Sequence, residues 1–126
     1  MTTTPAQLGG RSILVVEDEV LIALGIAALL EEAGAELIGP ANTVEQAHAL
    51  LAQWPSDLHA ALLDLNVAGV SVDSAILALK ERGVPFACMT GYGPGDASGP
   101  DPGAPVIAKP FPPEQIVATV KSLLAG

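Results

Sequence analysis

Five side chains with complementary chemistry share one local setting in this sequence: each follows or ends a short apolar run. Ile13 to Val16 leads into Glu17 and Asp18, Ala60 to Leu63 into Asp64, Phe86 to Met89 into Thr90, and Val106 to Ala108 into Lys109. Three carboxylates brought together repel one another, which raises a pKa or calls for a cation. An all-oxygen cluster with few protein ligands suits Mg²⁺, which keeps several waters and leaves positions for a phosphoryl group. Asp64 could then attack a phosphoryl donor, with Lys109 neutralising the transferred oxygens and the Thr90 hydroxyl donating to one of them. Taken singly, Glu17, Asp18 and Glu19 read equally well as the acidic start of a helix, Lys109 as a solvated lysine and Thr90 as a turn hydroxyl. Asp64 resists such a reading, because a carboxylate that ends a buried strand is costly without a purpose.

The elements needed to bring these residues together are legible. Continuous apolar runs bounded by charges and turns read as strands buried on both faces, the kind found in parallel sheets. The first strand is Ser12 to Val16, followed by a helix from Glu19 to about Ala33 that Gly34 closes. The second strand is Glu36 to Ile38, ended by a turn at Gly39 and Pro40. Thr43 with Gln46 forms a capping box for a second helix to about Gln53. The third strand ends on Asp64, and a third helix runs from about Ser71 to Arg82. The fourth strand is Pro85 to Met89. After the fifth strand, Lys109 to Pro113 leads into a last helix, Glu114 to Ala125.

Alternating units of this length predict an α/β fold, a doubly wound parallel sheet with right-handed crossovers and helices on both faces. In the order 2-1-3-4-5 the first and third strands are neighbours at the switch point, so Glu17, Asp18 and Asp64 meet at the carboxyl edge, where such sheets bind ligands. One unit breaks the alternation: Gly91 to Ala104 has eight Gly or Pro among fourteen residues, too many for a helix. A loop that long is usually functional or disordered. In the first helix Ile22, Ile26, Leu29 and Ala33 form an inward stripe. Leu24, Ala27 and Ala28 form a second stripe expected to face outward, either without consequence or as a protein-binding face.

The set formed by Glu17 and Asp18, Asp64, Thr90, and Lys109 with Pro110 and Phe111 resembles the receiver domain of bacterial two-component response regulators, over about Ser12 to Ala125. The resemblance implies a flavodoxin-like, CheY-like fold. It makes Asp64 the phosphoacceptor and Asp18 the direct Mg²⁺ ligand, with Glu17 assisting and the backbone carbonyl of Asn66 as a further ligand. Thr90 is then the switch hydroxyl and Lys109 the phosphoryl-pairing lysine, usually before a cis proline. Pro85, Phe86, Thr90, Gly91 and Tyr92 are similar to the signature of FATGUY receivers, stand-alone regulators that work with HWE-type or related histidine kinases and lack a stable fourth helix. Cys88 and Met89 depart from that signature. Val106 stands where most receivers carry a switching aromatic, which leaves Tyr92 as the substitute.

Composition bounds the rest. With 126 residues the chain is one domain, and with 14 acidic against 5 basic side chains its net charge is -9, which disfavours nucleic acid and anionic membranes as partners. The single Cys88 reads as a buried thiol. Residues 1–10 read as a disordered tail ahead of a domain over 11–126, with no signal peptide, and the apolar run Val20 to Leu30 is too short to span a bilayer. The expectation is a cytoplasmic, non-enzymatic single-domain regulator. It takes a phosphoryl group from a histidine kinase onto Asp64 with Mg²⁺, and then signals to a downstream protein or acts as a phosphoryl sink. Because the chain stops just after the last helix, no output domain is expected, and a homodimer through the first helix is a further possibility. Two alternatives stay open: a Mg²⁺-dependent phosphatase using an aspartyl intermediate, for which Asn66 replaces the usual second carboxylate, and a phosphorylation-independent interaction module. The histidines, His48 and His59, lie away from the strand ends.

Overall fold

The computed structural model describes residues 8–54, 58–90 and 104–125. The chain runs β1 (Ser12–Val16), α1 (Val20–Glu32), β2 (Glu36–Ala41), α2 (Val44–Gln53), β3 (Ala60–Asp64), β4 (Asn66–Val67), β5 (Val70–Ser71), α3 (Asp73–Glu81), β6 (Phe86–Thr90), β7 (Val106–Ala108) and α4 (Pro113–Ala125). Five strands form one parallel sheet in the order β2-β1-β3-β6-β7, the predicted arrangement. The period of two along each strand sorts side chains between two cores. Leu14, Val16, Ala61, Leu63 and Cys88 face the side covered by α2 and α3. Ile13, Val15, Ala60, Leu62, Ala87, Met89 and Ile107 face the side covered by α1 and α4, where Ile26, Leu30, Ile116 and Val120 meet them. All five residues of β1, β3 and β6 are buried, as a central parallel strand requires.

Several local expectations are corrected. Gly39 and Pro40 do not end the second strand. They form a bulge inside β2, where the register passes from Leu14 opposite Ile38 to Val16 opposite Ala41. β2 is an edge strand, so the missing proline N–H costs no ladder bond. Gly39 has φ +99°, and a Cβ there would lie 2.7 Å from the Ala41 nitrogen and 2.9 Å from the Val15 oxygen; only glycine fits. The third helix begins at Asp73, since Ser71 belongs to an antiparallel hairpin of β4 and β5. The end of the predicted tail is also docked: Leu8 is 1% exposed in the α1/α4 core, and the Leu8 and Gly10 N–H groups donate to the Ala33 and Gly34 carbonyls past the end of α1. A buried apolar side chain at Leu8 moves the boundary of the folded part ahead of Arg11.

The Thr43 cap is present, its hydroxyl accepting from the Gln46 N–H at 3.0 Å, while Gln46 Oε1 accepts from the Asn42 N–H rather than from Thr43. In α1, Ile26 and Ala33 are buried as expected, and Ile22 and Leu29 are half-buried. Ala27, assigned to the outward stripe, is buried instead. Leu24 and Ala28 are exposed, joined by Val20 and Leu21 at the start of the helix. The expected helix-free segment, Gly91 to Ala104, lies outside the described residues except for Ala104. Among the described residues no helix is long and apolar enough to cross a membrane.

Candidate functional site

Register and parity build the site. Val16 pairs with Leu63, so Glu17 and Asp64 stand level at the ends of adjacent strands. Glu17 continues the Ile13, Val15 parity, Asp64 continues Ala60, Leu62, and Lys109 continues Ile107, so all three fall on the α1/α4 side. Thr90 pairs with Ala108, and its carbonyl accepts the Lys109 N–H at 2.8 Å. The Lys109–Pro110 peptide is cis, as the receiver resemblance implies.

Lys109 Nζ is the hub. It donates to Glu17 Oε1 at 2.6 Å and to Asp64 Oδ2 at 3.2 Å, and lies 3.8 Å from Glu19 Oε1. The other Glu17 oxygen accepts the Glu19 N–H at 3.1 Å, so the first turn of α1 holds this fully buried carboxylate. Burial raises the Glu17 pKa, opposed by the hydrogen bonds from Lys109 and the Glu19 N–H. For Lys109 burial pulls downward, but the Glu17 hydrogen bond and the charges of Asp64 and Glu17 outweigh it and raise its pKa. Three carboxylate oxygens lie within 4.0 Å of the Lys109 ammonium, which stays charged between them.

Glu17, Asp18 and Asp64 each offer one carboxylate oxygen, all within 4.8 Å of one another. A set of hard oxygen donors, one half-buried and two buried, fits Mg²⁺ or a similar cation. Asp18 is further fixed by the Ala68 N–H, which donates to Oδ2 at 2.8 Å. A groove of about 840 Å³ opens over these groups, lined by Asp18, Asp64, Thr90, Lys109, Ile22 and Phe111 among others. The structure thus brings together Glu17, Asp18, Asp64, Thr90 and Lys109. Asn66 lies in β4, and its side chain is not among those described. Tyr92 lies outside the described residues. Sequence reasoning missed Glu19 as a neighbour of Lys109 and the Ala68 N–H on Asp18. The second had a signal, since Val67 and Val70 flank Ala68 and Gly69 as the arms of a two-residue hairpin.

No profile of a known protein family matches the chain. It is 37% identical to the phosphate regulon transcriptional regulatory protein PhoB of Pseudomonas aeruginosa over 91% of its own length, and spans 52% of that protein. It is 35% identical to the phyllosphere-induced regulator PhyR of Methylorubrum extorquens, of which it spans 43%. The chain therefore spans about half the length of these curated relatives. Among solved structures, the receiver domain of the Erythrobacter litoralis PhyR response regulator superposes with a TM-score of 0.77 at 28% identity, over 94% of this chain and 92% of that one. By this similarity in sequence and in fold, the chain belongs to the receiver domains of response regulators.

Proposed function

We propose that this receiver accepts a phosphoryl group on Asp64 from a histidine kinase, in a Mg²⁺-dependent reaction, and passes the signal to a partner protein or drains the phosphoryl group as a sink. The single observation that carries this reading is Asp64, at the end of a buried strand, sharing one lysine with Glu17 beside the half-buried Asp18. An Asp64 carboxylate oxygen attacks the phosphorus of a phosphohistidine, the P–N bond breaks, and its electron pair leaves with the imidazole. Lys109 supplies the positive charge next to the transferred group, and Thr90, at the carboxyl end of β6, supplies a hydroxyl on the same groove. Asp18, Asp64 and the Asn66 carbonyl would hold Mg²⁺, with Glu17 assisting, and the ion would offset phosphoryl charge. Glu17 also keeps Lys109 in place.

Thr90 and Tyr92 are the proposed switch pair, since the half-buried Val106 offers no ring beside the lysine. The kinase, of HWE type by the sequence signature, would approach along the groove beside α1, whose exposed Val20, Leu21 and Leu24 also offer the face for a homodimer. The proposed compartment is the cytoplasm. Incubation with a small phosphodonor and Mg²⁺, followed by intact mass, tests the reading. A lasting adduct supports it, continuous turnover of the donor supports the phosphatase alternative, and an unchanged protein points to an interaction module that only retains the pocket.

A further inference from the structure

The hairpin between Asp64 and α3 is built around a strained turn. Ala68 has φ +53° and is the non-glycine residue with positive φ among the described residues, and Gly69 follows at φ +78°. Both central residues of this two-residue turn are therefore left-handed, a geometry that favours Asn-Gly and that alanine enters at a cost. The turn aims the Ala68 N–H at Asp18 Oδ2, 2.8 Å away. Asp18 is the half-buried member of the acidic corner. Repulsion from Glu17 and Asp64 would otherwise drive its carboxylate toward solvent, because Lys109 is bonded to the other two acids and not to Asp18. The base of the same hairpin is Asn66, paired with Ser71.

We infer that the Ala68–Gly69 turn is a positioning device for the cation site: its N–H holds Asp18 inward while its strand pairing orients the Asn66 backbone, so the turn's stability sets the affinity for Mg²⁺. Ala68 is then a positioning residue acting through Asp18. Cation binding and hairpin order reinforce each other by linkage. The inference rests on the proposed Mg²⁺ site and adds a control element to it.

Two variants move the turn in opposite directions without altering an acidic side chain. Gly69→Ala puts a Cβ on a left-handed residue in open space, so it strains the backbone and touches nothing else. Ala68→Asn installs the pair this turn favours. Mg²⁺ is titrated by amide NMR into the wild type and both variants, and exchange of the Ala68 amide is followed in the wild type. Weaker binding by roughly fivefold or more in Gly69→Ala, tighter binding in Ala68→Asn and slower Ala68 exchange with Mg²⁺ are expected. Equal affinities in all three proteins would reduce the turn to a structural feature and overturn the inference, leaving the proposed function intact. Tighter binding in Gly69→Ala would mean that the N–H competes with the cation, also overturning it. A wild type that does not bind Mg²⁺ would overturn both readings.

Discussion

One ammonium among three acids sets the character of this receiver at the scale of single residues. Lys109 has its pKa raised in the folded state, so its contribution to stability is fully present below 10.5, the ordinary lysine value, and is lost as pH rises through the higher folded value. Glu17 is also raised, by burial. Its proton binding favours the folded state below 4.5 and its ionised form works against folding above the raised value. Lys109→Met should therefore destabilise the protein by roughly 3 kcal/mol at neutral pH, because it strands a buried carboxylate. The deficit should shrink toward pH 4.5 as Glu17 takes up a proton. Urea unfolding of both proteins across that range checks the sign: a deficit that grows on acidification would mean that Glu17 is not the group left unpaired. The residues of the site were legible because each ends an apolar run, and a charge at such a place has few structural uses. Glu19 was not, since its nearness to Lys109 depends on how α1 starts.

At the scale of elements, strands and helices followed from periodicity and caps, while short irregular pieces did not. β1, β3 and β6 are buried on both faces and so read as unbroken apolar runs. β4 and β5 have two residues each, too few to display a period, and the bulge at Gly39 looks in sequence like any Gly-Pro turn. Its structural role is nonetheless strict: Gly39→Ala would press a Cβ against two backbone atoms at positive φ and should cost at least about 2 kcal/mol. Thr43→Ala, which removes the cap on the Gln46 N–H, should cost about 1 kcal/mol. Denaturant midpoints rank the two, and a Thr43→Ala protein as impaired as Gly39→Ala would contradict the bulge argument.

For the whole molecule, the net charge of -9 and the shared acidic corner lead to the expectation that a divalent cation stabilises the fold. At ten times its dissociation constant Mg²⁺ should add roughly 1.4 kcal/mol, read as a rise in melting temperature. That rise should vanish in an Asp18→Ala, Asp64→Ala double variant; an equal rise in both proteins would indicate screening of the surface. In the proposed function a single carboxylate, Asp64 at the end of β3, takes the phosphoryl group. Intact mass after incubation with a small phosphodonor, with and without Mg²⁺, for the wild type and Asp64→Asn tests it most directly. One phosphoryl mass is expected on the wild type only when Mg²⁺ is present, and none on a folded Asp64→Asn. A stoichiometric phosphoryl mass on Asp64→Asn would contradict it.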